Sequence, residues 1–465
     1  MVGPDNARQH AAAVASLRES YAAIPADQPV RLAKRTSNLF RRRSAAPTVG
    51  LDVAGLDGVI DVDPVARTAD VQGMCTYEHL LAATLPHGLM PLVVPQLKTI
   101  TLGGAISGLG IESSSYRNGL PHESVTEMDI LTGAGTIVTC APEGPNADLF
   151  AAFPNSFGSL GYAVRLRIEL DPVSPYVALH HVRFDDLDRL AAAIASVCRD
   201  SSWDGAAVDF VDGVVFGPTE AYLTLGRWTS DVVDSGLLTT SDYTGQEIYY
   251  RSIRERARDV LTVHDYLWRW DTDWFWCSGA FGAQHRLVRR IWPTRWRRSD
   301  VYHRLVGLEN RFGVYARLQR LRGKPDMERV IQDVEIPVER TADFLRWFDD
   351  HVEMRPVWLC PIALRHGPGA REWPLYPISA GQLYVNVGFW GTVPIKPGRA
   401  DGDVNRLVER AVAEHEGHKS LYSDVFYDEA AFEETYGGKA YHAVKDEYDP
   451  GHRLTGVYQK VVRHQ

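Results

Sequence analysis

Four glycines and a cluster of hydroxyl side chains lie close together between positions 101 and 115. The stretch reads Thr-Leu-Gly-Gly-Ala-Ile-Ser-Gly-Leu-Gly-Ile-Glu-Ser-Ser-Ser. Glycine lets a backbone approach a ligand closely and adopt positive φ, and successive N–H groups in such a loop can surround an anion. The stretch therefore predicts a loop that cradles a phosphate-bearing cofactor.

A Rossmann dinucleotide loop is the main alternative for this stretch. That fingerprint, Gly-x-Gly-x-x-Gly, must follow a strand and open a helix. Here the pattern Gly108-Leu-Gly110-Ile-Glu-Ser113 ends in serine. Residues 114–119 are poor helix sequence, because serine and asparagine compete for backbone hydrogen bonds. The pattern argues against a Rossmann loop.

The order of motifs after the cradle resembles the FAD-binding domain of the vanillyl-alcohol oxidase (PCMH) type. Residues 127–139 predict two strands joined by a Gly-Ala-Gly turn. Asp-Leu-Phe at 148–150, Asn-Ser-Phe-Gly-Ser-Leu-Gly at 155–161 and a strand that stops at Pro172 follow in the family's order. The resemblance runs through most of residues 30–172. It implies an α+β fold, with a two-subdomain PCMH-type FAD-binding domain and an α+β substrate (cap) domain.

Within that family the chain is similar to the 24-dehydrocholesterol (Δ24-sterol) reductase branch. The similarity lies in 94–115, in Asp-Tyr-Leu-Trp-Arg-Trp-Asp-Thr-Asp-Trp-Phe-Trp at 265–276, and in 355–361 with 382–388. Residues 31–41 and 74–78 look like the actinobacterial subgroup that forms tuberculostearic (10-methylstearic) acid. The implied domains are 1–175 for FAD, 176–435 for the substrate, and 436–465 as a C-terminal segment that returns to the FAD domain.

This resemblance implies an FAD-dependent, NADPH-linked oxidoreductase that reduces an isolated C=C bond of a lipid. The expected substrate is the 10-methylene group of a phospholipid-bound fatty acyl chain. The FAD is expected to be non-covalent, because residues 31–44 contain no histidine or cysteine for a covalent link. Three alternatives stay open: a sterol or isoprenoid side-chain reductase, an FAD-dependent alcohol or sugar oxidase, and a non-catalytic flavin-binding subunit for a lipid methyltransferase.

The cofactor contacts that the resemblance implies fall into a first loop, the cradle and a later glycine motif. His122, just after the cradle, is a further candidate for flavin contact. The full set is Thr36, Ser37, Asn38, Pro95, Thr101, Gly103, Gly104, Ser107, Gly108, Gly110, Ile111, Glu112, Ser113, Ser114, Gly119, His122, Gly158 and Gly161. No metal site is expected.

The expected chemistry needs an acid. An isolated alkene has no carbonyl to stabilise a carbanion, so protonation to a tertiary cation must accompany hydride transfer from flavin N5. A dry pocket with a proton donor and cation-stabilising groups would promote this step. The candidates are Tyr384, Asn386, Tyr422, Asp424 and Glu112, and for each an ordinary structural role is the alternative.

Two sequence details guide this choice. Alternation along 382–390 should place Tyr384 and Asn386 on one strand face, with Gly388 making room for a ligand. Sugar and polyol oxidases often carry Leu-Tyr-x-x-Lys, whereas this chain has Leu-Tyr-Ser-Asp-Val at 421–425. The valine at the lysine position counts against sugar oxidation.

Bulk properties agree with a flavoenzyme. The chain has 465 residues and a net charge of −9, which argues against nucleic acid as a partner. Five scattered cysteines suggest structural thiols in a reducing compartment, and no apolar run predicts a signal peptide or spanning helix. Helices are expected at 9–24, 76–84 and 185–198, with a strand at 206–210. The expected location is cytoplasmic.

The basic, aromatic segment 285–298 stands out in this acidic chain. It reads His-Arg-Leu-Val-Arg-Arg-Ile-Trp-Pro-Thr-Arg-Trp-Arg-Arg. Arginine and tryptophan together suit a lipid headgroup interface, so peripheral contact with the inner membrane face is expected. A solvated helix face is the alternative, and Pro293 interrupts any long amphipathic helix.

Overall fold

Two antiparallel sheets organise the computed structural model, which describes residues 4–33, 50–232, 239–245, 247–312, 325–367 and 370–464. The first sheet has the order β1-β2-β6-β4-β5, with β3 paired to β6. Its strands are β1 (Val59–Asp63), β2 (Thr68–Gln72), β3 (Leu89–Pro91), β4 (Val125–Leu131), β5 (Ile137–Cys140) and β6 (Tyr162–Pro172). An antiparallel sheet is not the parallel sheet that a Rossmann loop requires.

The second sheet has eight strands in the order β12-β7-β11-β10-β14-β15-β13-β16. Its strands, together with the small β8–β9 hairpin, are β7 (Tyr176–Phe184), β8 (Ser202–Trp203), β9 (Ala206–Ala207), β10 (Phe210–Gly217), β11 (Glu220–Thr229), β12 (Arg258–Thr262), β13 (Met327–Pro337), β14 (Val357–Ile362), β15 (Tyr384–Pro394) and β16 (His418–Lys419). We call this the cap sheet.

Helices cover the sheets and join their strands. They are Pro4–Ala22, Tyr77–Thr84, Leu102–Ser107, Ser115–Asn118, Ala147–Ala152, Leu187–Asp200, Tyr249–Glu255, Val263–Trp268, Arg286–Ile291, Ser299–Phe312, Val338–His351, Asp403–Glu414, Glu429–Thr435, Gly438–Tyr448 and Val457–Val461. Among the described residues, no helix combines the length and the apolar character needed to cross a bilayer.

The α+β fold class is confirmed, and several local predictions need correction. The first helix begins at Pro4 and not at residue 9, and β10 begins only at Phe210, after the β8–β9 hairpin. Residues 102–107 form a helix where a loop was predicted. Ser115–Asn118 form a helical turn despite their low helix propensity, because packing against strand β14 overrides local preference.

The two faces of the cap sheet differ sharply. Side chains alternate along a strand, so every second residue shares a face. One face carries Val211, Val334, Leu359, Val385 and Val387, and it packs against helices in a single apolar cluster. These helices are Leu187–Asp200, Val338–His351 and Asp403–Glu414. The other face, which we call the inner face, belongs to the same buried cluster as the core of the first sheet.

The C-terminal segment is bonded to the first half of the chain. The buried Lys445 Nζ contacts Asp449 Oδ2 at 2.6 Å and donates to the carbonyls of Ser159 and Leu454 at 2.8 and 2.7 Å. The Arg453 guanidinium donates to the Ile24 carbonyl at 3.1 Å. Residues 445–454 are therefore bonded to residues from the first 160 of the chain, and the predicted return of 436–465 to an FAD domain stays a prediction.

Candidate functional site

The glycine-rich stretch forms a short helix packed tightly on the first sheet. The Thr101 hydroxyl caps this helix by accepting from the Gly104 N–H at 3.2 Å. The Gly103 N–H donates to the Gly73 carbonyl at 2.9 Å, and a Cβ at Gly103 would lie 2.6 Å from that oxygen. The Ser107 hydroxyl donates to the Gly103 carbonyl at 2.8 Å. Here glycine permits a close helix–strand approach.

The later glycines of the cradle also meet protein atoms. A Cβ at Gly108 would lie 2.8 Å from the Gly104 carbonyl oxygen. A Cβ at Gly110 would lie 2.7 Å from the rings of both Pro95 and Pro121. Gly110 is therefore held between two prolines, with the buried Ile111 directly after it.

Three further predicted glycines are needed for their backbone conformation. Gly119, Gly158 and Gly161 have φ values of +70°, +72° and +147°. Residues with a side chain rarely adopt these φ values, so glycine is favoured at these positions for a conformational reason, and the predicted cofactor contact there stays a prediction. At Gly161 a Cβ would also lie 2.7 Å from the Leu131 carbonyl oxygen.

The stretch from 111 to 116 is fastened to the cap sheet. The Val211 N–H donates to the Ser113 carbonyl at 2.8 Å, and the Tyr116 hydroxyl donates to the Val208 carbonyl at 2.6 Å. The Ser114 hydroxyl donates to the Leu92 carbonyl at 2.9 Å. These bonds fix the cradle against strand β10.

A buried ionic cluster joins the cradle to the cap. Arg269 Nη2 lies 2.9 Å from both Glu112 Oε1 and Asp212 Oδ2, and all three side chains are buried. The Ser113 hydroxyl donates to Glu112 at 2.5 Å and lies 2.6 Å from the Tyr266 hydroxyl. Two carboxylates share one guanidinium, so the cluster carries excess negative charge when both are ionised.

The inner face of the cap sheet carries a second polar group, centred on Asp333. Register places Asp333 opposite Gly388 and Glu335 opposite Asn386. The Asn386 amide donates to Asp333 Oδ1 at 2.8 Å, and the Tyr422 hydroxyl also bonds this carboxylate. Asp333 is 6% exposed, and burial raises its pKa to about 6 against the lowering effect of these two bonds.

Glu335 lies two residues further along the same face. The Ser420 hydroxyl donates to its Oε1, and the Tyr376 hydroxyl lies 3.5 Å from the same atom. Burial raises the pKa of Glu335 well above its usual range. His418 Nε2 lies 3.6 Å from Glu335 Oε2, and burial lowers the pKa of His418 to about 3. This histidine is therefore neutral at physiological pH.

The predicted catalytic residues reach the inner face to different degrees. Asn386 and Tyr422 contact Asp333, and Trp390 Nε1 donates to the Tyr422 hydroxyl at 2.8 Å. Tyr384 shares the face but lies near its edge, with its ring 5.4 Å from that of His418. Asp424 pairs with Arg329 at 3.5 Å. Asp424 therefore forms an ion pair at the periphery of the inner face.

Gly388 does not make room for a ligand in this structure. A Cβ there would lie 2.5 Å from Asp333 Oδ1 and 2.7 Å from the Trp390 ring. The prediction that Gly388 makes room for a ligand is wrong, because the Asp333 carboxyl group and the Trp390 ring occupy that space. Glycine at this position lets Asp333 lie flat across β15.

Buried polar atoms without a protein partner lie near His122. They are His122 Nε2 and Trp373 Nε1. The His122 and Trp373 rings are 4.5 Å apart, and burial lowers the pKa of His122 to about 3. A flavin ring carries both hydrogen-bond donors and acceptors, and these atoms supply both kinds. The donor set fits a flavin, while Thr36, Ser37 and Asn38 lie outside the described residues.

Sequence reasoning missed Asp333, Glu335, Arg269 and Asp212. The first two had no local signal: Asp333 and Glu335 alternate with apolar residues in Val-Ile-Gln-Asp-Val-Glu-Ile-Pro at 330–337, which is the ordinary pattern of a half-exposed strand. The link between Arg269 and Glu112 had no local signal, because it joins residues far apart in the chain.

Comparison with known proteins agrees with this architecture. A profile described as "FAD binding domain" matches residues 1–141. The Δ24-sterol reductase of Macaca fascicularis is 27% identical over 424 residues, covering 87% of this chain and 76% of the relative. The Δ24-sterol reductase of Arabidopsis thaliana is 25% identical over 456 residues, covering 88% and 76%.

A third relative matches a shorter part of the chain. Cytokinin dehydrogenase 10 of Oryza sativa is 33% identical over 172 residues, which is 37% of this chain and 30% of that protein. The two long matches therefore cover most of the chain, whereas this one covers little more than a third of it. The chain carries an FAD-binding domain and is a distant homologue of the Δ24-sterol reductases.

Proposed function

We propose that this protein is an FAD-dependent reductase that saturates an isolated C=C bond of a lipid. The observation that carries the proposal is Asp333, a buried carboxyl with a pKa of about 6 on the inner face of the cap sheet. The similarity to Δ24-sterol reductases over most of the chain supports the same reaction class.

The chemistry explains why a raised pKa is useful. An isolated alkene is reduced by adding one proton and one hydride, and protonation must come from an acid of which an appreciable fraction still holds its proton near neutral pH. An unperturbed aspartic acid is almost fully ionised there. Asp333 would donate the proton to the alkene carbon and regain one from solvent. Bound FAD, reduced by NADPH, would supply the hydride.

The surroundings of Asp333 suit a transient cation. The Phe275 ring lies 4.4 Å from Trp390 and 5.4 Å from Trp358, so aromatic faces form a wall beside the acid. Asp212 accepts from Trp270 Nε1 at 3.2 Å in the neighbouring ionic cluster. Aromatic faces and excess negative charge both stabilise a carbocation.

We further propose the 10-methylene group of a phospholipid-bound fatty acyl chain as the substrate. A 1,1-disubstituted alkene gives a tertiary cation when its terminal carbon is protonated. The sequence likeness at 31–41 and 74–78 supports this choice, and a sterol side chain, which also gives a tertiary cation, is the second candidate. Val425 is buried in the apolar core, so no base stands where sugar oxidases carry lysine.

The test uses the purified holoenzyme without oxygen. NADPH should bleach the visible flavin band, and a 10-methylene-stearoyl phospholipid should then restore it with formation of the 10-methyl product. Recovery with a Δ24-unsaturated sterol alone would assign the sterol substrate. No bleaching by NADPH, together with bleaching by an alcohol or a sugar, would overturn the proposal in favour of an oxidase.

A further inference from the structure

Exposed apolar side chains concentrate in one short segment of the surface. In the described part of the chain, six large hydrophobic side chains are exposed, and four of them lie between 287 and 296. They are Leu287, Val288, Ile291 and Trp296, with exposed fractions of 68%, 37%, 82% and 50%. We call these four residues the 287–296 patch. Burying so much apolar surface against a partner would be favourable.

Basic side chains surround the 287–296 patch. Arg286, Arg290 and Arg295 are exposed, and among the residues that the structure describes they form no ion pair. Arg295 instead lies over the Trp296 ring at 5.5 Å. In a chain of net charge −9, this local positive charge is complementary to an anionic surface.

The patch is held rigidly in place. Arg289 forms a two-pronged ion pair with Asp273, at 2.7 and 3.0 Å, and donates to the Glu247 carbonyl at 2.7 Å. Arg297 donates to the carbonyls of Gly245 and Trp292 at 2.6 and 2.7 Å. These buried arginines anchor the segment from below, so its apolar side chains stay on the outside.

The anchored segment continues into the aromatic wall of the inner face. Gln284 Nε2 donates to the Trp276 carbonyl at 3.1 Å, and the Trp276 ring lies 5.3 Å from Trp390. Trp390 in turn bonds Tyr422, which bonds Asp333. A series of contacts thus connects Gln284, three residues before the patch begins, with Asp333.

We propose that the 287–296 patch docks this protein onto the anionic surface of a lipid bilayer. The inference rests on the proposed function, because docking there would present an acyl chain to the aromatic wall. Leu287, Ile291 and Trp296 would enter the headgroup region, while the three exposed arginines contact lipid phosphates. The short helix would lie in the plane of the interface.

The test is co-sedimentation of the holoenzyme with phosphatidylcholine vesicles, with and without phosphatidylglycerol. Wild type should bind the anionic vesicles more tightly. Replacing Arg286, Arg290 and Arg295 by Gln should weaken that binding by about fivefold for each arginine. The double variant Leu287→Glu with Ile291→Glu should abolish it, while Val65→Glu and Met327→Glu, at exposed apolar positions elsewhere, should bind like wild type.

Equal binding to both vesicle types, or equal loss in the Val65→Glu control, would overturn the proposal. A concentration-dependent dimer that Ile291→Glu dissolves would assign the patch to a second copy of the chain instead. Vesicle binding is measured without turnover, so binding without alkene reduction would overturn only the proposed function. Reduction of detergent-dispersed substrate without vesicle binding would overturn only the docking surface.

Discussion

Asp333 is a strand residue whose acidity is set by its neighbours. Burial raises its pKa to about 6, while the hydrogen bonds from Asn386 and Tyr422 lower it. A proton donor must be protonated to act, so the rate of alkene reduction by the reduced enzyme should fall as the pH rises through about 6. Rapid-mixing kinetics across pH 5 to 8 would reveal this limb.

Replacing Asp333 by Asn should slow alkene reduction by about 10²- to 10⁴-fold, because the proton donor is lost. Reduction of the flavin by NADPH should persist, since that step needs no proton from Asp333. Glu328→Gln is the matched control: Glu328 is a buried carboxylate on the same strand, but it faces a helix and accepts from the Asn405 N–H at 2.9 Å. Equal loss in both variants would contradict the assignment.

Arg269 is predicted to be a stability residue. Arg269→Met leaves Glu112 and Asp212 buried without a counter-ion, which should lower the free energy of unfolding by about 3–5 kcal/mol. Arg254→Met, which removes an exposed ion pair with Glu220, should cost about 1 kcal/mol or less. Urea unfolding of both variants would measure the difference. Similar losses would show that the buried cluster is not ionised.

At the scale of the element, the two faces of strand β15 have different roles: one packs against helices, and the other carries the polar group around Asp333. Val387 packs on the helix-covered face, so Val387→Asn should lower the free energy of unfolding by about 3 kcal/mol through an unpaired buried amide. Asn386→Val should instead keep stability closer to wild type and change the pH dependence of alkene reduction. Thermal melts and single-turnover rates of the two variants would separate the effects.

The hydrogen bond between Asn386 and Asp333 also predicts the direction in which the pH dependence of alkene reduction should move. The Asn386 amide stabilises the ionised form of Asp333, so Asn386→Val should raise the pKa of Asp333. The alkaline limb of the alkene-reduction rate should therefore move to higher pH. A limb that moves to lower pH, or stays in place, would contradict Asp333 as the titrating group.

Sequence analysis could predict what depends on local pattern. Alternation placed Tyr384, Asn386 and Gly388 on one strand face, and the motif order gave the fold class. It could not predict the helix at 102–107, because glycine pairs favour loops locally and only packing on Gly73 compensates for them. The role of Asp333 depends on bonds from two distant segments, which no local pattern encodes.

At the scale of the whole molecule, buried neutral histidines should govern acid stability. Burial lowers the pKa of His122, His181 and His418 to about 3. The three histidines contribute fully to the free energy of unfolding above about pH 6.5, which is their pKa in the unfolded chain. This contribution is lost as the pH falls towards 3. At pH 5 each of these histidines should lower the free energy of unfolding by about 2 kcal/mol, because its imidazole is protonated there only in the unfolded chain.

His181→Gln tests this prediction. His181 Nδ1 lies 2.8 Å from the Thr224 hydroxyl, a contact that glutamine can reproduce in part. The variant should lose about 2 kcal/mol less than wild type between pH 7 and pH 5, measured by urea unfolding at both values. Asp333 acts in the opposite direction, but it is present in both proteins and cancels. An unchanged pH dependence would show that His181 is not neutral in the folded state.

The bonds from Lys445 and Arg453 to Ser159 and Ile24 have a consequence for how the protein folds during its synthesis. The ribosome synthesises Ile24 and Ser159 well before residues 445–454. During that interval the carbonyls of Ser159 and Ile24 lack these donors. We therefore expect stable capture of FAD only after residues 445–454 have been synthesised and have packed against the first sheet.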